Sequence, residues 1–307
     1  MNTKEYIKCP ICESEGIFLM KAKNTHGSHC ISDEQFSLVE CKECGLVFIN
    51  PRPTEKEVLK YYNFNYYSSE NKIKSKKIEK LLLNHWPFFS KKRVINKFRK
   101  KGRILDIGCG NGDFLNSLLN DKWKIYGVEP NPIGYDLANH KILNNNIFNN
   151  KLLDCQFHDN YFDVITMWHV FEHIYYPKKE LQEIRRILKN GGIFILTMPN
   201  VKSIGFKIAK QHWFHLDAPR HLFHYDAKTI TKLLGDSASY FKILRIDFIY
   251  MDFPLDIYHS IINSSGKNKS IRILLRILVL FFLPLLKLIG VLFKASETML
   301  IVCEKRD

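Results

Sequence analysis

The sequence is short of acid. Its 307 residues carry 46 lysines and arginines against 31 aspartates and glutamates, a formal net charge of +15. That balance excludes an acidic, solvating chain and favours phosphates or anionic surfaces as partners. The excess is uneven, for residues 70–103 hold 13 lysines and arginines against Glu70 and Glu79 alone. Within that stretch lies the leucine and aromatic patch from Ile78 to Phe89. A basic segment with an apolar patch suits a membrane surface or an anionic partner; a solvated lysine-rich helix is the plainer alternative. Long apolar runs are lacking as well. The most hydrophobic stretch, Ile271 to Phe293, has no uncharged run longer than the ten residues Ile277 to Leu286, and Pro284 interrupts it. A spanning helix needs about 20 apolar residues. No apolar segment follows the opening Met1-Asn-Thr-Lys-Glu5, which predicts a cytoplasmic chain, peripheral at most to the inner face of a membrane. Internal repeats are absent, and low complexity is confined to an asparagine-rich loop at 144–150.

What is present begins with cysteine. Eight cysteines in a cytoplasmic chain point to metal or chemistry rather than disulfides. Cys9-Pro-Ile-Cys12 and Cys41-Lys-Glu-Cys44-Gly45 are two C-x-x-C knuckles separated by 28 residues. Each offers two thiolates to one tetrahedral ion, and the glycine suits the tight turn; the reading is a zinc ribbon whose four protein ligands leave no open position. His26, His29 and Cys30 are loop residues, with a ligand exchange as the alternative. Cys109, Cys155 and Cys303 fall in apolar contexts and are expected to be buried.

A short apolar run, Arg103-Ile-Leu-Asp106-Ile, is followed by Gly108, Gly110 and Gly112, and a second run ends at Glu129. This is the pattern of a first strand, a glycine-rich turn and a second strand in a nucleotide-binding sheet. The glycines admit positive φ and close approach of a ligand. Glu129 can accept hydrogen bonds from both hydroxyls of a ribose. The dinucleotide fingerprint would need a third glycine at position 113, which is Asp. What stands instead, Asp106-x-Gly108-x-Gly110-x-Gly112, resembles motif I of the class I S-adenosylmethionine (SAM) methyltransferases. Three further segments resemble that family in order: Gly127-Val-Glu129-Pro-Asn-Pro132, Phe162 to His173, and Leu181 to Asn200. The resemblance implies an α/β fold with a doubly wound, mostly parallel seven-stranded sheet. It implies that SAM rests on Asp106, Gly108, Gly110, Gly112, Glu129 and Pro130. Asp154 would lie near the adenine, and Met167 and Trp168 near the methionine moiety.

The periodicity places strands near 103–107, 125–129, 147–150, 162–168, 193–197, 240–249 and 298–304. Helices are expected after Asp113, after Pro132, over 178–189 and near 227–235. The expected organisation is a ribbon over 1–50, a basic helical and aromatic linker or cap over 51–102, and the catalytic domain over 103–307. The last carries an apolar insertion at about 268–294 before the final strand. Because that strand returns to the sheet, one membrane crossing is excluded; an interfacial hairpin, a dimer surface or a helix over the sheet remain.

The end of strand four lacks the Asn/Asp-Pro-Pro-aromatic motif of exocyclic-amine DNA methyltransferases and the Pro-Cys of cytosine C5 enzymes, so an oxygen acceptor on a sugar or small molecule is expected. His169, His221 and His215 are the candidate bases, since an imidazole near pKa ~6.5 suits deprotonating a hydroxyl; Glu172, His173, His212 and His224 are further possibilities. Arg220 is available for an anionic acceptor. His169-x-x-Glu172-His173 can be read as a cation site, resembling some quinone and small-RNA methyltransferases. In metal-free relatives the Glu-His pair is structural, and that is the expectation here. The whole arrangement resembles methyltransferases of bacterial cell-surface polysaccharide, and more loosely sugar C-methyltransferases, whose extra C-terminal domain is missing. The expected function is methylation of a sugar hydroxyl on a nucleotide- or lipid-linked glycan, with SAM, structural zinc and an anionic membrane as partners. A zinc-ribbon RNA methyltransferase, a quinone-type O-methyltransferase and a non-catalytic SAM-binding subunit are the alternatives.

Overall fold

A computed structural model describes residues 3–22, 34–62, 91–119, 121–142, 146–236, 241–249, 255–264 and 269–306. The N-terminal strands are β1 (Lys4–Glu5), β2 (Gly16–Ala22), β3 (Phe36–Cys41), β4 (Val47–Ile49) and β5 (Arg52–Pro53). The core strands are β6 (Gly102–Ile107), β7 (Trp123–Val128), β8 (Ile147–Phe148), β9 (Phe162–Trp168) and β10 (Leu188–Pro199). After them come β11 (Phe223–His224), β12 (Phe241–Ile249) and β13 (Thr298–Lys305). Seven strands form the central sheet in the order β12-β13-β10-β9-β6-β7-β8. Pairing is parallel from β10 to β8, whereas β13 runs antiparallel to both β10 and β12. This is the doubly wound, mostly parallel sheet that the sequence predicts. Strands such as β9 are buried on both faces, which is why they read as continuous apolar runs rather than alternating ones.

Local signals set the flanking helices. In Pro132–Lys141, Asn131 caps the first turn by accepting from the amides of Ile133 and Gly134, with proline at the start. Pro177–Ile187 likewise begins on proline, buries Leu181, Ile184 and Ile187, and ends on Arg185 and Arg186. It stops two residues before the expected 189, because the chain already enters β10 at Leu188. The third core strand is shorter than its expected 147–150.

The cysteine-bearing segment is not an appendage. β11, from far along the chain, completes a four-stranded sheet in the order β11-β4-β3-β2. Ile49 donates to the Leu222 carbonyl at 3.0 Å, and Leu222 in turn donates to the Glu172 carbonyl at 2.9 Å. Arg52, buried, donates to the Tyr175 carbonyl and to Glu5, and its guanidinium lies 4.4 Å from the Tyr175 ring. The knuckles are therefore tied by backbone bonds to the loops at the carboxyl ends of the core strands.

The apolar insertion is one helix, Lys269–Leu292, preceded by Asp256–Ser264. The segments Ile273–Val279 and Phe281–Leu292 are bent by 51°. The cause is Pro284, whose missing N–H and ring disrupt the bond to the carbonyl four residues back, at the bend itself. The helix thus carries a kink where the sequence suggested a break. Among the described residues, no single helix is long and apolar enough to cross a membrane, although the bent pair passes by length and composition. Ile273, Ile277, Phe281, Leu285, Leu288 and Phe293 are exposed, Phe281 by 76%. Most of the basic stretch at 70–103, and His26, His29 and Cys30, lie outside the described residues.

Candidate active site

The site starts from a backbone problem. The chain must leave β6 at Ile107, reverse, and enter the Asp113–Asn116 helix within five residues. Gly108, Gly110 and Gly112 solve it at φ of +69°, +56° and +76°. The Val128 carbonyl, at the end of β7, accepts from the amides of Gly108 and Cys109 at 2.7 and 3.1 Å. Glu129 closes the turn from the other side, accepting from the Gly110 amide at 2.9 Å and from the Asn131 amide at 2.9 Å. A Cβ built on Gly108 or Gly112 would strike Val170 or Ala138, whereas above Gly110 nothing lies within 4 Å. That open cradle, walled by a buried carboxylate, fits the ribose and methionine portions of SAM.

Beneath it, Thr166 donates to Asp106 at 2.6 Å, and burial raises the Asp106 carboxyl to about 7. Met167 and Trp168 end β9 in the core. The indole of Trp168 packs edge-on against Phe114, with the Lys91 ammonium 4.9 Å from its ring, and its buried Nε1 has no hydrogen-bond partner among the described residues. Asp154 is exposed at the end of a short 3-10 turn after β8, and Pro130 is exposed beside Glu129.

The candidate bases converge. His169 follows β9 with φ of +57°, a conformation a histidine rarely adopts, held by its amide bond to the Thr197 carbonyl at 3.1 Å. Its side chain is 14% exposed and its Nδ1 lies 3.5 Å from Glu172 Oε1. The His215 ring stacks against it at 6.3 Å and 7°, and its Nε2 is 3.2 Å from Asp256. His221 Nδ1 meets the His215 carbonyl at 2.8 Å. Burial lowers His215 and His224 to about 4 and takes His221 well below the ordinary histidine range, so these imidazoles are neutral at physiological pH. His173 is lowered too, again by burial. His212 stands apart on the surface. Arg220 is not presented to a substrate: fully buried, it donates from Nε and Nη2 to Asp217 at 3.1 and 2.5 Å.

Several members of this cluster were not among the site residues expected from the sequence. Lys91 over Trp168 comes from a basic run. Tyr62, in the linker over 51–102, brings its hydroxyl within 2.9 Å of His173 Nδ1. Asp256 and Glu297 are lone acids in unremarkable segments; Glu297 accepts from Trp213 Nε1 at 2.6 Å and from the Gly205 amide at 2.7 Å. Burial raises both acids to about 7.

The four knuckle cysteines also converge. Sulfur separations are 3.5 Å for Cys9–Cys44 and 3.4 Å for Cys12–Cys41, and one sulfur from each of the four lies within 4.8 Å of the others. A tetrahedron with Zn–S near 2.3 Å has edges of about 3.8 Å, so the set fits a zinc ion. The turns that present it are closed by amides donating to Cys9 and Cys41 carbonyls, with Gly45 at φ of +79°.

Comparison with known proteins gives a family. A family model described as a methyltransferase domain matches residues 79–237, just over half of the chain. An uncharacterized protein of Methanocaldococcus jannaschii is 38% identical over 115 residues, which are 36% of this chain and 48% of that protein. A sterol 4-C-methyltransferase of Caenorhabditis elegans is 30% identical over 142 residues, 44% of this chain and 42% of the relative. The chain thus spans about half the length of these relatives. Among solved structures, a SAM-dependent methyltransferase from Archaeoglobus fulgidus superposes with a TM-score of 0.52 at 18% identity, covering 79% of this chain and all of that one.

Proposed function

The chain belongs to the methyltransferase-domain family and is a SAM-dependent methyltransferase, and from that premise we propose that it methylates a sugar hydroxyl of a nucleotide- or lipid-linked glycan at a membrane surface. The observation that carries the reading is the exposed apolar face of the bent Lys269–Leu292 helix, on a protein of net charge +15. An exposed apolar face of this extent on a basic protein suits insertion among anionic headgroups and has no use on RNA.

SAM, when bound, supplies a methyl group on a positively charged sulfonium. Glu129 would hold the ribose, at the open space above Gly110. Trp168, with Lys91 over its ring, closes the wall beside the methionine moiety. His169 takes the proton of the acceptor hydroxyl as the methyl group arrives. It is the partly exposed member of the stacked pair, its strained backbone fixes where the imidazole stands, and Glu172 lies within 3.5 Å to favour the imidazolium that forms. His215, tied to Asp256, and His221, tied to the His215 carbonyl, set the stack and its orientation. Cys9, Cys12, Cys41 and Cys44 hold a structural zinc ion, which fixes the strand pairing that reaches β11 and the His221 loop. The enzyme works in the cytoplasm, peripheral to the inner face of the membrane.

The test is flotation with anionic liposomes beside RNA binding at matched physiological salt. The reading expects flotation that is lost when Phe281 and Phe293 are changed to Asp. Absence of flotation, with tight and salt-steep RNA binding, would make RNA the acceptor instead.

A further inference from the structure

One face of the central sheet turns from apolar to polar at the same level on three neighbouring strands. Val164, Ile195, Leu300 and Trp168 belong to one core, whereas Met167, Leu196 and Met299 belong to the other. Side chains alternate along a strand. Thr197, two residues after Ile195, and Thr298, two before Leu300, therefore share the face that carries Trp168. The register agrees, since Thr197 is the Cα partner of Trp168 and Thr298 that of Pro199. A helix over 91–98 covers this face, with Ile95 in the same apolar core. Its first residue, Lys91, lies over the Trp168 ring, so the helical cover starts at the level of the two threonines. Thr197 and Thr298 are 0% and 1% exposed, and neither hydroxyl has a hydrogen-bond partner among the described residues. The Trp168 Nε1, an atom the methyl transfer above leaves unused, shares that condition. A buried polar group without a partner carries a desolvation cost and calls for a reason. Thr166, one step lower on β9, has its reason in Asp106. Among the described residues Thr197 and Thr298 have no such neighbour. Diagonal neighbours on a sheet stand about 7–8 Å apart, which is too far for the two hydroxyls to satisfy each other.

We propose that Thr197, Thr298 and the Trp168 Nε1 form the acceptor subsite and select a neutral sugar ring by its hydroxyls, a role that presupposes the sugar acceptor proposed above. The three groups are uncharged. Two hydroxyls that both donate and accept, beside an indole N–H that donates, match the mixed donors and acceptors of a polyol. A phosphate or carboxylate would call for arginine forks instead, and a nucleobase edge for amides or carboxylates. Each of these hydrogen bonds forms away from water. A ring lacking the matching hydroxyl leaves a buried group unpaired and is rejected strongly. The subsite is also placed for the reaction, because the Thr197 carbonyl accepts from the His169 amide at 3.1 Å and so fixes the base and the ring by one residue. None of the three groups takes the proton; they position the acceptor. Partnerless hydroxyls in the free protein are a stability cost of the kind that functional sites carry.

Valine keeps the shape of threonine and removes the hydroxyl alone, so the full chain is compared with Thr197→Val, Thr298→Val and the double variant. The melting temperature should hold or rise, by about 2–4 °C per substitution, because each hydroxyl removed had no partner. Affinity for S-adenosylhomocysteine, by calorimetric titration, should be unchanged. Saturation-transfer NMR with the methyl glycosides of glucose, galactose, mannose and rhamnose, in the presence of S-adenosylhomocysteine, then reads the subsite itself. Contact with at least one of these sugars is expected in the native protein, weakened about 2–10-fold in each single variant and lost in the double. A variant that fails to fold, or melts below the native protein, would show its hydroxyl to have a structural partner and overturn the proposal. A native protein that touches none of the sugars overturns it too, as does contact that survives in the double variant. These readouts involve no methyl transfer. Label reaching only RNA would remove the sugar-acceptor reading, while the sugar contact decides the subsite by itself.

Discussion

A single methyl group added at each glycine of the 108–112 turn separates folding from SAM binding. All three glycines have positive φ, so alanine at any of them costs about 1–2 kcal/mol in backbone strain. The surroundings then differ. At Gly108 the new Cβ lies 2.5 Å from Val170 Cγ2, and at Gly112 it lies 2.9 Å from the Ala138 Cα, a backbone atom that cannot rotate away. Overpacking of that kind adds about 1–3 kcal/mol, for totals of about 2–5 kcal/mol. At Gly110 the Cβ meets nothing within 4 Å, so strain is the whole cost. With about 2–4 °C per kcal/mol for a unit of this size, Gly110→Ala should lower the melting temperature by about 2–8 °C, and the other two by about 4–20 °C. SAM binding should rank the opposite way. The space above Gly110 is where the ligand approaches, and the Gly110 amide is the one Glu129 accepts. A loss of at least about 100-fold, near 2.8 kcal/mol, is expected for Gly110→Ala by calorimetric titration with S-adenosylhomocysteine. A folded Gly110→Ala with native affinity would refute the assignment of the cradle.

The remaining predictions concern other parts of the site. His169→Asn should lower turnover by about 10²–10⁴-fold with SAM affinity unchanged, read by steady-state kinetics beside titration; equal losses in both would remove the general-base role. Burial raises Asp256 to about 7 from an ordinary 3.8, so its contribution to stability is present below pH ~4 and lost as pH rises through about 7. Melting temperature should therefore fall between pH 5.5 and 8, and fall less in Asp256→Asn, with Glu297, Asp106 and Glu180, raised likewise by burial, supplying the rest; a flat profile for the native protein contradicts this. Chelation of the cysteine-bound ion should reduce transfer as well as stability, because β4 pairs with β11 beside the histidine cluster; full activity after verified removal would show the two parts to be independent.

The sheet was legible because parallel strands buried on both faces leave apolar runs, and because the turn at Gly108–Gly112 tolerates few other residues. Glu129 and Asp106 were visible because they flank those signals, whereas the histidines of 169–221 were candidates by their chemistry and by the family resemblance. β11 was not, since a two-residue strand has no periodicity and its partner lies some 175 residues earlier. Asp217 and Arg220 neutralise each other in the interior, so the exposed arginine suggested by its position beside His221 does not exist. Asp256 and Glu297 left no pattern at all, because a lone acid becomes part of a site only when the chain folds its neighbours onto it. The kink at residue 280 was implied by Pro284, yet its size and the continuity of the helix depend on packing that composition does not encode.

The account stands or falls on the acceptor. Methyl-labelled SAM, incubated with the protein and separately with nucleotide sugars, bacterial glycolipid extracts and RNA, reads it directly. Label transferred to a sugar hydroxyl in the nucleotide-sugar or glycolipid fractions, and lost in His169→Asn, is the predicted result. Label confined to the ribonuclease-sensitive fraction would contradict it.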